Sequence, residues 1–374
     1  MENRDNEEYL KKIINNILDE RDYVVIQSRK KWDSLAKPLH GLGQFEDIVS
    51  GMAGLRGSTG VRIDKRTLLV FCSDNGVVRE GVSQSDAEVT ARVAMSIAKG
   101  KSTVNNLAKN CSVDIIAVDV GIRDEHLIEE EKDLNKILKG KKKILDRNIK
   151  RGTENILYSP AMTREECIKA ITDAIDLVKE LKKNGTKIIL TGEMGIGNTT
   201  TSAAIASILL DEDPEVMTGR GAGLGNEGLI RKKEVIMEAI NKHRPDKSDP
   251  VDVISKTGGL DIAALCGVYL GCAYHRIPVL IDGFVCLVAA LCAIRLSEKC
   301  INAMIPSHLS SEPGAVRIVK ELGLNPVINA DMHLGEGTGA VMMLSLLDAS
   351  LNVYNSSHSF SKLGIAPYTE HDPK

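Results

Sequence analysis

A chain of 374 residues, 43% hydrophobic and 26% charged, buries a large core and ordinarily forms two domains. Its formal net charge of -3 supplies no global basic field for nucleic acid or an anionic membrane. The opening Met1-Glu2-Asn3-Arg4-Asp5-Asn6-Glu7-Glu8 is too charged for a signal peptide, and no uninterrupted apolar stretch reaches membrane-spanning length, so a cytoplasmic protein is expected.

Leu10, Ile13, Ile14, Ile17 and Leu18 predict one face of an amphipathic N-terminal helix. The apolar runs 67–73 and 113–119 end in polar residues, as buried parallel strands do when they deliver a site at their carboxyl ends. The basic run 135–153 carries Lys136, Lys139, Lys141, Lys142, Lys143, Arg147, Lys150 and Arg151. It has no interleaved aromatic and follows acidic residues, which favours a solvated surface over a nucleic-acid patch. Thr163 with Glu166 forms a capping box, Ile168, Ile171, Ile175 and Val178 line one helical face, and Asn184-Gly185 stops that helix. A short strand over 187–190, a glycine-rich loop and a helix over 199–210 follow. The alternation continues with a strand over 277–281, a helix over 285–296 and a strand over 301–305. Val341, Met342, Leu344, Leu346 and Leu347 give a last helix a thick apolar face.

This alternation predicts a doubly wound α/β fold, with a mainly parallel sheet flanked by helices and a small helical domain built from both chain ends. The expected division is 1–55 for the first part of the small domain, 56–345 for the large α/β domain and 346–374 for the segment that completes the small one. Eight cysteines are scattered through apolar patterns without a C-x-x-C pair or a histidine at ligand spacing. Buried free thiols and no metal site are expected.

Two loops concentrate the chemistry. Thr191-Gly192-Glu193-Met194-Gly195-Ile196-Gly197-Asn198-Thr199-Thr200-Thr201 and Leu334-Gly335-Glu336-Gly337-Thr338-Gly339-Ala340 each place one carboxylate among glycines beside an apolar run. Glycines let main-chain N–H groups close around an anion, and a following helix adds the positive end of its dipole. The first loop has P-loop spacing from Gly192 to Gly197, but Asn198 replaces the phosphate-binding lysine, and Thr200 stands where a dinucleotide fingerprint needs its third glycine. A single small phosphate therefore fits better than a nucleoside triphosphate.

Over most of its length the chain resembles the nicotinate-nucleotide:dimethylbenzimidazole phosphoribosyltransferases, which act in the lower-ligand branch of cobamide synthesis. The resemblance runs through Lys37-Pro38, Leu42-Gly43 and Glu46, then Asp74 with Gly76-Val77, Gly81-Val82-Ser83 and Glu88-Val89-Thr90. It continues through the Gly192 loop, Gly219-Arg220-Gly221-Ala222-Gly223, Gly258-Gly259, Asp282-Gly283-Phe284, Ser310-Ser311-Glu312-Pro313-Gly314 and the Glu336 loop.

What the resemblance implies is a parallel sheet with a small helical domain, a homodimer with composite active sites, and transfer of ribose 5-phosphate from nicotinate mononucleotide to an aromatic base. Nicotinate departs from a pyridinium as a neutral ring nitrogen, so no metal and no cofactor are implied. Glu336 takes the place of the family's general base and Glu193 that of a second carboxylate at the ribose. Lys232, Gly195, Gly197, Gly221 and Gly223 match positions at phosphate or ribose, with Ser310 and Gly314 as further phosphate donors. Asp282, at a strand end, either supports the site or anchors a loop.

Departures from the family pattern gather around the acceptor. Asn75 stands for a common histidine, His40-Gly41 for Gly-Ser, Ser85-Asp86 for an aromatic-Pro pair, Ala91 for a polar residue and His333 for arginine. With Ser83 and Leu334 these define the expected acceptor pocket: Ser83, Ser85, Asp86, Ala91 and Leu334. A benzimidazole-type acceptor ranks first, and a phenol or cresol, taken by one subunit of a heterodimer, ranks second.

Overall fold

The structure, a computed structural model, describes residues 5–369, so Met1–Arg4 of the charged opening and residues 370–374 lie outside the described residues. The strands are β1 Arg66–Ser73, β2 Val113–Gly121, β3 Glu130–Glu131, β4 Ile144–Asp146, β5 Ile188–Met194, β6 Val279–Ile281 and β7 Met304–Pro306. They form one sheet in the order β3-β4-β2-β1-β5-β6-β7, and every adjacent pair is parallel.

Both faces of this sheet are covered, which is why its central strands read as apolar runs without alternation. On β1, Leu69 and Phe71 point into one core cluster, while Leu68, Val70 and Cys72 point into the other. The first cluster contains the buried faces of helices Arg164–Lys183, Asn198–Leu210, Leu260–His275 and Phe284–Leu296. The second takes those of helices Asp22–Ser34, Gln44–Arg56, Glu88–Ala98 and Thr338–Ser356. Because β2 lies on one side of β1 and β5 on the other, the strand order reverses its direction at β1, and the carboxyl ends beside such a switch point are where a parallel sheet ordinarily places a ligand.

Local signals hold where they are chemical. The capping box is formed, with Glu166 N donating to Thr163 Oγ1 at 3.1 Å and Thr163 N to Glu166 Oε2 at 2.8 Å. Helix Arg164–Lys183 stops at Asn184, followed by Gly185 at φ +88°. The N-terminal helix, Asn6–Asn15, ends before Ile17 and Leu18, because Asn16 forms its C-cap; Ile17 is buried beyond it, but Leu18 is exposed. On helix Thr338–Ser356 the buried stripe is Val341, Leu344, Leu347 and Leu351, while Met342 and Leu346 lie off it and are exposed. The strand expected over 301–305 begins only at Met304, after a 3₁₀ turn over Glu298–Ala303.

Six cations of the basic run are paired with acids. Lys136 and Lys141 meet Glu131, Lys143 meets Glu129, Arg147 meets Glu180, Lys150 meets Glu154 and Glu166, and Arg151 meets Asp119 and Glu125. All eight cysteines are buried free thiols. Among the described residues no helix is long and apolar enough to cross a membrane, and no group of three or more His, Cys, Asp or Glu is arranged to hold a metal ion.

Candidate active site

A cavity of about 150 Å³ lies at the carboxyl ends of β5 and β6. Its walls come from the Glu193–Asn198 turn, the Gly221 loop, Gly283 and Phe284 after β6, His308 to Glu312 after β7, and His333 to Glu336. The two glycine-rich loops singled out in the sequence therefore face one cleft.

The second loop is held in an unusual backbone conformation. Gly335, Glu336 and Gly337 have φ of +86°, +60° and +85°, and a non-glycine residue in this region costs about 1–3 kcal/mol. Asp282 offsets that cost. Its buried carboxylate accepts N–H bonds from Gly337 at 2.9 Å, Gly339 at 2.8 Å and Ala340 at 3.2 Å, and so caps the first turn of helix Thr338–Ser356. Burial pushes the Asp282 carboxyl up to about 7, against the pull of those donors. Asp282 is thus an anchor for the loop that carries Glu336. The Glu336 side chain accepts from Val104 N at 3.2 Å, and its own N–H reaches Glu193 O at 3.3 Å.

Glu193, one residue before the end of β5, is wedged between two neighbours. Asn198 Nδ2 donates to Glu193 Oε2 and also to Asp261 Oδ2, the latter at 2.9 Å. On the other side, a Cβ built on Gly335 would stand 2.6 Å from Glu193 Oε1. Burial pushes Glu193 up to about 8, and the charges of Asp261, Asp282 and Glu336 add to the rise while the Asn198 bond resists it. Burial likewise raises Asp261 to about 6.

Lys232 belongs to the same end of the molecule, behind the cavity wall. Its side chain is fully buried, with Nζ donating to Thr199 Oγ1 at 2.9 Å and to Gly219 O at 3.1 Å. Burial lowers its ammonium to about 8, although Glu312 pulls it back up. The flanking cations behave differently: Arg231 pairs with Glu80 and Lys233 with Glu215, both at 2.6 Å. Lys232 is therefore turned inward from an otherwise solvated helix face. Glu312 Oε1 accepts from Gly221 N at 2.8 Å, which ties the Gly221 loop to the segment after β7.

The remaining sequence candidates divide. Gly195, Gly221, Ser310 and Leu334 line the cavity, the last with its side chain largely exposed. Gly197 is the helix cap behind the turn, where a Cβ would press on Val78 at 2.8 Å, and Gly223 is exposed. Gly314 packs against Phe284 and Met217, since a Cβ there would stand 2.8 Å from the Phe284 ring. Ser83, Ser85, Asp86 and Ala91 are not among the lining residues. Ala91 is fully buried in the core cluster with Leu68 and Val70, and its neighbour Thr90 accepts from Ile196 N at 3.2 Å, bracing the first loop from behind. Asn75 is also behind that loop, where Nδ2 donates to Ile196 O at 3.4 Å. Residues that the sequence did not single out for the site are Thr199, Asp261, His308 and Glu312. Of these, Thr199 at the end of the first glycine-rich loop, Asp261, which follows Gly258-Gly259, and Glu312, within the Ser310 motif, had a nearby signal, and His308 had none.

Chemically, the cleft brings two carboxylates together with the Gly221 loop and Ser310 in its wall, and sets the buried Lys232 ammonium behind that wall. Groups of these kinds are able to bind a phosphorylated sugar, to balance positive charge at its anomeric carbon and to accept a proton.

A family model described as a phosphoribosyltransferase matches residues 20–365. The nicotinate-nucleotide–dimethylbenzimidazole phosphoribosyltransferase of Acetivibrio thermocellus is 43% identical over 340 residues, covering 91% of this chain and 93% of that one. Its counterpart in Ruminiclostridium cellulolyticum is 42% identical over 355 residues, covering 95% and 97%. Among solved structures, CobT from Thermus thermophilus superposes with a TM-score of 0.84 at 32% identity, covering 92% of this chain and 99% of that chain.

Proposed function

This chain belongs to the nicotinate-nucleotide:dimethylbenzimidazole phosphoribosyltransferase family, and from that premise we propose that it moves ribose 5-phosphate from nicotinate mononucleotide to a lower-ligand base in cobamide synthesis. The observation that carries the reading is the meeting of Glu193 and Glu336 in one cleft, with the Glu336 loop pinned by Asp282.

In the proposed reaction the phosphate is held by the Gly221 loop and Ser310, with the Lys232 ammonium behind them. The bond from C1' to the pyridinium nitrogen breaks, and its electron pair returns to nicotinate. A ring nitrogen of the incoming base bonds to C1' from the opposite face, which converts a β-linkage into an α-linkage. Glu336 takes the proton from the other ring nitrogen, making the attacking one a better nucleophile as transfer proceeds. Glu193, when anionic, balances the positive charge that develops at C1'.

The acceptor is proposed to be 5,6-dimethylbenzimidazole or a related base, and the active unit a homodimer. The test is to incubate the purified chain with nicotinate mononucleotide and a mixture of benzimidazoles, purines and phenols, and to identify the ribosylated products by mass. A benzimidazole α-nucleotide with equimolar nicotinate is expected. A phenolic product, or turnover only after a second subunit is added, would replace the acceptor and the assembly with the alternatives; no nicotinate release with any base would refute the function.

A further inference from the structure

Glu193 is oriented through a chain of contacts that reaches beyond the cleft. Asn198 opens helix Asn198–Leu210, and its amide nitrogen has two hydrogens. One goes to Glu193 Oε2 and the other to Asp261 Oδ2. The amide nitrogen faces both carboxyl groups, and since ionised carboxylates only accept, this orientation serves their anionic forms. Asp261 is itself fixed, since its other oxygen accepts from Ile262 N at 3.0 Å in the first turn of helix Leu260–His275. Both Asn198 and Asp261 are buried, which leaves little water to screen one carboxylate from the other.

We propose that Asp261, acting through Asn198, is a positioning residue for Glu193: the pair fixes the Glu193 carboxylate against Gly335 and controls its proton. This rests on the proposed reaction, in which anionic Glu193 is the active form. The two members pull in opposite directions. The Asn198 N–H stabilises the Glu193 anion, whereas the Asp261 charge opposes it. Other groups facing Glu193 are Asp282 after β6, Glu336 in its loop, His308 across the cavity, and the Cys72 and Cys286 thiols from β1 and helix Phe284–Leu296. Of the described groups acting on Glu193, only Asp261 is joined to it by a single shared donor.

The opposite signs make the proposal testable by pH profile. Nicotinate release, as kcat/KM, is measured from about pH 5 to about pH 10 for the wild-type protein, Asp261→Asn, Asn198→Ala and Glu193→Gln. The wild type should show an acid limb, which Glu193→Gln should abolish along with most of the turnover. Asp261→Asn, which keeps its volume and an acceptor oxygen for Asn198, should move that limb to lower pH by about one unit. Asn198→Ala should move it to higher pH, and it carries the test if Asp261→Asn does not fold. A merely structural first-turn role for Asp261 would lower the melting temperature and leave the limb in place. An unmoved limb, a shift of the same sign in both variants, or a limb that survives Glu193→Gln would overturn the proposal. Absence of nicotinate release by the wild type would instead refute the reaction itself, and this inference with it.

Discussion

The main chain of Glu336 crosses directly over the α-carbon of Gly192: a Cβ built on Gly192 would stand 2.6 Å from the Glu336 carbonyl carbon and 2.6 Å from Gly337 N. One glycine-rich loop is thus the seat of the other, although 144 residues separate the two positions (336 − 192). No substituent fits there without displacing Glu336.

Gly192→Ala should consequently cut turnover at least about a hundredfold, the lower end of what loss of a positioned base costs. Affinity for nicotinate mononucleotide should fall much less, because the Gly221 loop is untouched. Steady-state kinetics with calorimetric binding separates the two. Equal losses in both would mean that β5 itself has been disrupted.

Asp282→Asn replaces an acceptor that serves three backbone N–H groups with an amide whose nitrogen must face one of them. A lost buried acceptor costs about 1–3 kcal/mol. Denaturant melts should show that loss of stability, and turnover should drop as the Glu336 loop loosens. An unaltered stability would remove Asp282 from the role of anchor.

Glu193 gives a stability effect of definite sign. Its folded-state value of about 8 lies above the ordinary carboxylate value of 4.5, so the folded protein holds a proton that the unfolded chain releases between these limits. The associated stability is present below that window and lost as pH rises through about 8. Glu193→Gln mimics the protonated form, so its melting temperature should exceed that of wild type by a margin that grows from acidic to alkaline pH, even as activity falls. A margin independent of pH would contradict the burial argument.

Lys232, lowered to about 8 by burial, is partly neutral near that pH before substrate arrives. Phosphate favours the ammonium, so binding of nicotinate mononucleotide near pH 8 should take up a proton, seen as a dependence of the binding enthalpy on buffer ionisation. Lys232→Met should abolish that dependence and weaken binding roughly ten- to hundredfold, the scale of a charge-assisted hydrogen bond. Unchanged affinity would leave Lys232 as a strut between Thr199 and Gly219.

Much of this was legible in the sequence, for chemical reasons. Glu193 and Glu336 stand out because glycines crowd around them, and the capping box at Thr163 fixes a helix start by short-range bonds. What escaped is long-range or rotational. Asp261 and Asn198 meet across 63 positions, and nothing local in either segment announces the partner. The rotation of helix Glu88–Ala98 about its own axis decides that Thr90 braces Ile196 while Ala91 enters the core, a phase that departures from a family pattern do not encode. Strands as short as β3 and β4 carry too few residues for any periodicity. Lys232 sits between two surface cations, and only packing of its helix on Asn198–Leu210 reveals that it points inward.

The central claim is that Glu336 receives the proton of the incoming base in a phosphoribosyl transfer. It is tested most directly by following nicotinate release from nicotinate mononucleotide and dimethylbenzimidazole with the wild-type protein and with Glu336→Gln, alongside the donor Kd of each. The account predicts turnover lower by about a hundredfold to ten-thousandfold in the variant, with the Kd nearly unchanged. Turnover within a few fold of wild type would contradict it and leave Glu336 as a loop residue bound to Val104.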